Sequence, residues 1–320
     1  MDTETMGGRE RSAGEGERGG FDRRGFLSCM AWAGTGLLWT AAGGVLAARP
    51  IERALAEERP GNASFRFAQI SDTHVGFNGE ANKEVLGTLG QAVAKIKALQ
   101  PAFVIHTGDL THTQKPGAFD TLTEALVDAR VDRIFYVPGE NDVFADGGKE
   151  FLARFAGGGR GWQSFDYQGV HFIGLVNVLN FKAGGLGSLG HDQLEWLEDD
   201  VAGLKSSTPI VVFAHVPLWA VYPKWGWVTE DGGQALAYLK RFGSVTVLNG
   251  HIHQVMQKVE GNVTFHTAMS TAFPQPAPGA ADSPGPLKLP ADQVRRALGV
   301  RDVNYVAGQS RLAIVDSTLG

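Results

Sequence analysis

Apolar residues along this chain form two kinds of pattern: short continuous runs and longer stretches with a helical repeat. Short runs bounded by polar or turn residues are typical of buried strands. Such runs occupy residues 65–70, 103–107, 133–137, 210–214 and 244–248. Helical stripes, with apolar residues three or four positions apart, cover residues 81–99, 117–130, 189–204 and 233–242. This alternation predicts a mixed sheet layered with helices.

The later part of the chain adds two predicted hairpins. Each consists of two strand-like stretches separated by a short polar turn that contains glycine. The first pairs residues 164–167 with 171–176, and the second pairs residues 254–260 with 262–267. Hairpins indicate antiparallel strands, so the sheets should contain both strand directions.

Residues 272–290 differ from the rest because they hold six prolines together with Gly and Ala. Proline removes a backbone donor and cannot continue a helix or an inner strand. We therefore expect an extended arm, followed by a short helix at 291–298 and a last strand at 311–315. One domain should span residues 64–271, with residues 272–320 as an arm and C-terminal extension that pack on it.

The sequence of the N-terminal part is typical of a targeting segment. Residues 1–21 are rich in Gly, Glu and Arg, which predicts disorder. Asp22-Arg23-Arg24-Gly25-Phe26-Leu27 resembles a twin-arginine export motif, and an apolar run from Met30 to Ala48 follows. We expect residues 1–48 to be a disordered start and a cleaved signal peptide. The protein would then be periplasmic or secreted without a stable membrane span; an uncleaved signal would instead anchor it to the membrane.

Composition narrows the possible partners and ligands. The chain has 320 residues, 43% of them apolar, and a formal net charge of −5. This length allows one large core, and the acidic balance gives no electrostatic basis for binding a nucleic-acid duplex. Its single cysteine, Cys29, lies inside the predicted signal segment. Metal ligands in the mature protein would therefore be His, Asp, Glu or Asn.

Polar side chains with metal-binding chemistry follow four of the predicted strands. These residues are Asp72, His74, Asp109, His215, His251 and His253. Loops at the carboxyl ends of strands are where open α/β sheets bind ligands. Six such residues at four strand ends are difficult to explain as core histidines or as solvated acids, so the pattern indicates a metal site.

These motifs, in this order, resemble those of the calcineurin-like metallophosphoesterases, over roughly residues 64 to 270. The matching stretches are Asp72-x-His74, Gly108-Asp109, Gly139-Glu140-Asn141-Asp142, Ala214-His215 and Gly250-His251-x-His253. The resemblance implies a four-layer α/β/β/α sandwich of mixed sheets, two metal ions, and hydrolysis of phosphate esters by a hydroxide that bridges the ions.

The resemblance also implies how the ligands are shared. One ion would be held by Asp72, His74 and His253, the other by Glu140, His215 and His251, and Asp109 would bridge the two. A shell with three or more imidazoles argues against Mg²⁺ or Ca²⁺. We therefore expect two divalent or trivalent transition-metal ions, chosen from Mn, Fe and Zn.

The chain departs from the family at one motif, where the usual Gly-Asn-His-Asp/Glu is replaced by Gly139-Glu140-Asn141-Asp142. Glu140 would take the place of the metal-binding Asn, unless a shifted register makes Asn141 the ligand. Asn141 can donate a hydrogen bond to phosphate, but it cannot act as a general acid near neutral pH. The enzyme would then be slow, would use good leaving groups, or would rely on a substitute acid such as His112 or His191.

The substrate is weakly encoded. Four large aromatic residues follow His215: Trp219, Tyr222, Trp225 and Trp227. They either line the site, which would favour a nucleotide-like or aryl phosphoester, or pack beneath a long loop. Likewise, the Pro-rich arm either only covers the domain or narrows the mouth of the site.

Two functions follow from these residues. The first is a metal-dependent hydrolase of phosphodiesters or phosphomonoesters that acts on a small-molecule substrate. The alternative is a metal-binding, catalytically weak homologue that serves as a binding module or scaffold.

Overall fold

The computed structural model describes residues 37–42, 45–50, 63–181, 186–309 and 311–320. The chain divides into two compact units, Met1–Glu57 and Glu58–Gly320. In the first unit, strands β1 (Leu37–Ala42) and β2 (Val45–Pro50) pair antiparallel. The predicted disordered start and the twin-arginine motif lie outside the described residues, and so does part of the apolar run. Among the described residues, no helix is both long and apolar enough to cross a bilayer.

The second unit contains eleven strands, six α-helices and two short 3₁₀ turns among the described residues. The strands are β3 (Phe65–Ile70), β4 (Val104–His106), β5 (Ile134–Tyr136), β6 (Gln163–Tyr167), β7 (Val170–Gly174), β8 (Ile210–Ala214), β9 (Val245–Asn249), β10 (Met256–Glu260), β11 (Val263–Thr267), β12 (Gly299–Tyr305) and β13 (Ala313–Thr318). The helices are α1 (Val85–Leu99), α2 (Ala118–Val127), α3 (Lys149–Phe155), α4 (His191–Ala202), α5 (Gly232–Leu239) and α6 (Ala291–Ala297). The 3₁₀ turns are Glu140–Asp142 and Pro223–Trp225.

The strands form two mixed sheets. One has the order β13-β12-β3-β4-β5, and the other has the order β10-β11-β9-β8-β7-β6. Strands β3, β4 and β5 run parallel, as do β7, β8, β9 and β11, while the remaining strands pair antiparallel. Parallel neighbours bring their carboxyl ends to the same edge of a sheet.

An aromatic core joins the inner faces of the two sheets. Phe67 and Phe103 of the first sheet meet Phe172 of the second, with the Phe103 and Phe172 ring centroids 5.3 Å apart in an edge-to-face arrangement. Helices α1, α2, α3 and α6 pack on the outer face of the first sheet, and α4 and α5 pack on the outer face of the second. The order of layers is helices, sheet, sheet, helices. This confirms the predicted four-layer α/β/β/α sandwich.

Two elements were absent from the sequence prediction. Helix α3 was missed, and so was β12, which lies between β3 and β13 inside the first sheet. Strand β12 carries Arg301 and Asp302, and these two charged residues interrupt the apolar run from which a buried strand would be predicted. Arg301 is only 1% exposed because its guanidinium pairs with Asp316 at 2.8 Å and also donates to Gln69 and to the Thr267 carbonyl. A charged residue can occupy an inner strand when every donor is satisfied in this way.

Segment 272–290 contains neither helix nor strand. Its first residues pack against the start of α1, where Ala272 and Phe273 are buried with Val85. Beyond it, α6 and β13 lie close to the predicted positions, although β13 begins two residues later than expected.

One buried histidine far from the sheet edge has a defined electrostatic environment. The Nδ1 and Nε2 atoms of His171 on β7 lie 2.8 Å from Asp166 and 2.9 Å from Asp200. Burial alone lowers the pKa of His171, but hydrogen bonds to Asp200 and Asp166 and their charges outweigh it, so the pKa rises above 6.5. The imidazolium form therefore ties β6, β7 and α4 together.

We expect His171→Gln to reduce the free energy of unfolding more at about pH 5.5 than at about pH 9. Because folding raises the pKa of His171, its stabilising contribution is complete below the unfolded value and is lost as the pH rises through the folded value. Urea unfolding at the two pH values measures the difference, with His191→Gln as an exposed control. An equal loss at both pH values would contradict the assignment.

Candidate metal centre

Four strand ends bring the polar motifs together at one edge of the sandwich. Asp72 and His74 follow β3, and Asp109 follows β4; His215 follows β8, and the His251 loop follows β9. Backbone bonds connect the neighbouring loops, from Asp72 N to Gly108 O at 3.0 Å and from Gly250 N to His215 O at 3.1 Å. The His251 amide also donates to the Asp72 carboxylate at 3.1 Å, which joins the two sheets directly at the site.

The first group of donors is Asp72, His74 and His253, all of them buried. The Nε2 atoms of His74 and His253 are 3.3 Å apart, and His253 Nε2 is 3.3 Å from Asp72 Oδ1. Donors bound at about 2.0–2.2 Å from one ion are separated by about 3 Å. These distances therefore match those between neighbouring ligand atoms around one metal ion.

The second group is Glu140, His215 and His251. The carboxylate of Glu140 lies 2.8 Å from His215 Nε2 and 3.1 Å from His251 Nδ1, and the two ring nitrogens are 3.2 Å apart. Asp109 lies between the two groups, because its Oδ2 is 3.4 Å from His74 Nε2 and 3.7 Å from His215 Nε2. The arrangement offers two neighbouring ion sites with one shared carboxylate.

Hydrogen bonding determines which ring nitrogens are free to bind metal. Nδ1 of His215 donates to the Thr107 carbonyl at 2.7 Å, and Nδ1 of His253 donates to the Phe273 carbonyl at 2.6 Å. The unprotonated Nε2 atoms of both rings therefore face the cluster. Such bonds to the second nitrogen are the usual way to orient a metal-binding histidine.

The donor set requires positive charge, either a proton or a metal ion, between atoms that face one another. Because Nδ1 of His215 donates to the Thr107 carbonyl, its Nε2 atom is the one that faces Glu140 Oε2, at 2.8 Å. Two acceptors at this distance repel each other unless a proton or a metal ion lies between them. The residues present therefore fit a bound metal.

The pKa shifts also indicate an excess of buried negative charge. Burial and the charge of Glu140 raise the pKa of the Asp109 carboxyl well above its ordinary value. Burial alone would lower the pKa of His215, but Asp109 and Glu140 raise it well above 6.5. The buried carboxylates thus attract positive charge, which a metal ion would supply in competition with protons.

Five of the seven predicted metal ligands adopt the left-handed backbone region, which non-glycine residues rarely occupy. Their φ angles lie between 40° and 69°, for Asp72, His74, Asp109, His251 and His253. Strained backbone of this kind persists only where the surrounding structure enforces it, and it concentrates at functional sites.

Two glycines allow the motifs to approach one another. A Cβ atom on Gly250 would overlap Ser71 Oγ and would lie 2.7 Å from Asp72 Oδ2. A Cβ on Gly139 would overlap Asp109 Oδ1 and the Asp109 backbone nitrogen. The glycine before each ligand turn is therefore required by contact with a neighbouring ligand loop.

The position of the turn at Glu140–Asp142 shows which of Glu140 and Asn141 faces the second donor group. Asp142 is fully buried and accepts from the Gly139, Leu110 and Thr111 amides at 2.8–2.9 Å. Burial raises its pKa to about 6 despite these bonds. With the turn held in this way, Glu140 meets His215 and His251, whereas Asn141 donates through Nδ2 to Asp109 Oδ2 at 2.8 Å.

The candidate substitute acids occupy different places. His112 lines the cavity above the metal ligands, and its Nδ1 is 3.3 Å from Nδ1 of His74. Burial, Lys115 and His253 lower its pKa. His191 is exposed at the start of α4, pairs with Glu195, and is not among the residues that line this cavity.

A cavity of about 510 Å³ opens over both donor groups. Of the four aromatic residues after His215, Trp225 and Trp227 line it, while Trp219 packs on Phe265 and Tyr222 packs on Trp225. The Pro-rich arm contributes residues 282–286 to the lining. Other lining residues were not identified from the sequence: Phe144, Phe181, Phe273 and Gln275. Only Phe144 offered a signal, because it comes two residues after the motif that ends at Asp142.

The fold and the converging motifs define a phosphoesterase of the two-sheet class. The chain belongs to the calcineurin-like phosphoesterase family, whose model matches residues 65–255, more than half of its length. This confirms the family resemblance drawn from the motifs.

Known proteins agree with this assignment. The chain is similar to the 3′,5′-cyclic adenosine monophosphate phosphodiesterase CpdA of Escherichia coli strain K12, with 26% identity over 61% of this chain and 71% of that protein. Its fold is similar to that of a dimetal phosphatase from Danio rerio, with a TM-score of 0.60, 15% identity, and coverage of 79% of this chain and 98% of that one. GAP50, the anchor in the inner membrane complex of Plasmodium, has a TM-score of 0.51 at 12% identity, with 80% of this chain and 89% of that one covered.

We expect Gly250→Ala to destabilise the protein by about 1–3 kcal/mol and to lower its metal content, since the added methyl group overlaps Ser71 and Asp72. Gly90→Ala on α1 is the matched control because nothing lies within 4 Å of its added Cβ, and it should be neutral or stabilising. Urea unfolding and metal analysis of both variants measure the effects. Wild-type stability in Gly250→Ala would show that the loops do not approach as closely as described.

Proposed function

We propose that this protein hydrolyses small phosphate esters, either phosphodiesters or phosphomonoesters, at a dinuclear metal centre. The observation that carries the proposal is the pair of three-residue donor groups with Asp109 between them. When bound there, two transition-metal ions, chosen from Mn, Fe and Zn, would neutralise charge on the phosphoryl group and activate a water nucleophile. Similarity to a cyclic nucleotide phosphodiesterase supports a nucleotide-like substrate.

The residues of the chain have separate tasks in this proposal. Asp72, His74 and His253 hold one ion, and Glu140, His215 and His251 hold the other. Asn141 binds both oxygens of Asp109, through its backbone N at 2.9 Å and its Nδ2 at 2.8 Å, and so fixes the bridging carboxylate. The same amide group lines the cavity and can donate a hydrogen bond to a phosphoryl oxygen.

His112 acts in this proposal as the donor to the leaving oxygen. If His74 binds metal through Nε2, its Nδ1 carries a proton and donates to His112 Nδ1. The proton of neutral His112 then resides on Nε2. A neutral imidazole can stabilise a developing oxyanion by hydrogen bonding, and His112 lines the cavity where that oxyanion would form.

A second candidate is a metal-binding, catalytically weak member of the family that serves as a binding module or scaffold. The observation that favours it is Asn141, which replaces the histidine that the family places beside the phosphate. Metal binding is common to both candidates, so turnover separates them.

We expect the protein loaded with Mn²⁺, Fe²⁺ or Zn²⁺ to hydrolyse bis-p-nitrophenyl phosphate or p-nitrophenyl phosphate. Asp109→Asn should lower kcat by at least about 100-fold, because it removes the charge shared by both ions. Released nitrophenolate measures the rate, and His191→Gln is the exposed control. Two bound metal ions per chain without turnover of either ester would overturn the enzyme and support the scaffold.

We expect His112→Gln to lower kcat by about 10²–10³ on an alkyl phosphoester and by much less on a p-nitrophenyl ester. The reason is that a poor alkoxide leaving group depends on a hydrogen-bond donor, whereas nitrophenolate leaves readily. Rates on the two esters at fixed metal content make the comparison. Equal losses on both esters would indicate that His112 only positions His74.

A further inference from the structure

A series of aromatic rings leads from the metal ligands to the outer rim of the cavity. The Phe181 ring lies 6.5 Å from the His251 ring, and the Phe144 ring lies 5.8 Å from the Phe181 ring, both in edge-to-face geometry. Phe144 is 62% exposed, although it lines the same cavity as the donors. Contiguous exposed apolar surface with a polar rim is typical of ligand-binding grooves.

The backbone beneath Phe144 is fixed, so its exposure does not follow from a loose loop. Phe144 N donates to Glu140 O at 3.1 Å, which ties it to the turn that presents a metal ligand. The preceding residue, Val143, is buried in a cluster with Val176, Val178 and Val216. The backbone of Phe144 therefore has a set position relative to the metal centre.

The remaining lining of the cavity is apolar and carries little charge. Trp225, with only 7% exposure, contributes a second large ring, and Pro284 and Pro286 of the arm add further apolar surface. Among the described residues, Lys224 and Asp282 are the charged residues that line the cavity in addition to the metal-donor groups and His112.

We propose that Phe144 and Phe181 form a subsite that binds a planar aromatic substituent on a phosphoester substrate. This inference rests on the proposed function, because the phosphoryl group must occupy the metal centre. The shared chemistry is a flat π face, which either an aryl ring or a nucleobase supplies. Aromatic side chains bind such faces by stacking or by edge contact.

The test is direct binding of phenylphosphonate and methylphosphonate to the metal-loaded protein, measured by calorimetry. The two probes share the phosphonate group and differ in the ring, and their carbon–phosphorus bond removes turnover from the measurement. We expect the wild-type protein to prefer phenylphosphonate by about tenfold, and Phe144→Ala to bring that ratio close to one. Phe144→Tyr should keep the preference, and so should Val127→Ala, a control at a residue that is 73% exposed on α2.

The outcomes separate this inference from the proposed function. Methylphosphonate binding without a preference for the phenyl compound would overturn the aromatic subsite and leave the proposed function intact. Failure of both phosphonates to bind the metal-loaded protein would contradict both. Parallel kcat/KM values for a cyclic nucleotide and for diphenyl phosphate then distinguish a nucleobase from a simple aryl ring, because the loss in Phe144→Ala falls on the ester whose ring the subsite holds. No loss on either ester would also overturn the subsite.

Discussion

The constraint on which the rest of this structure depends is the burial of carboxylates and imidazoles whose acceptor atoms face one another. His215 Nε2 and Glu140 Oε2 lie 2.8 Å apart while Nδ1 of His215 donates to the Thr107 carbonyl, so a proton or a metal ion must lie between the two facing atoms. Burying such groups without compensation is costly, and a metal ion is the natural compensation. Other features of the site serve this close approach: parallel strand ends at one edge, glycines where loops touch, and ligands held in left-handed backbone.

A buried polar chain beneath the metal ligands is bonded to both sheets, because Arg301 donates to the Thr267 carbonyl on β11 at 2.8 Å and Gln69 donates to the Asn249 carbonyl on β9 at 3.3 Å. Arg301 donates to Gln69 at 3.1 Å, Gln69 donates to Thr107 at 3.0 Å, and Thr107 donates to Ser71 at 2.7 Å. Ser71 in turn donates to the Asp72 carboxylate at 2.5 Å. Each donor in this chain is satisfied, so it rigidifies the interface without an orphaned polar group. The C-terminal strand β12 thereby supports the ligand loop after β3.

The sequence allowed the layered fold and the convergence of the ligands to be predicted, since each ligand follows an apolar run and parallel strands end at a common edge. It did not allow β12 to be predicted, because the partners that neutralise Arg301 are remote in the chain. It also did not reveal the aromatic rim, because Phe181 reaches the cavity through a loop whose path depends on tertiary packing. The left-handed conformation of His251 and its neighbours is likewise enforced by contacts rather than by residue type.

The replacement at Glu140 and Asn141 makes this centre more anionic than the family pattern implies, and Asn141 binds the central carboxylate. We propose that the two donor groups hold two separate ions. Anomalous diffraction from crystals of the Mn²⁺-loaded protein tests it most directly. We expect two peaks, one enclosed by Asp72, His74 and His253 and the other by Glu140, His215 and His251, with Asp109 between them. A single peak at full metal loading, or peaks away from these side chains, would contradict it.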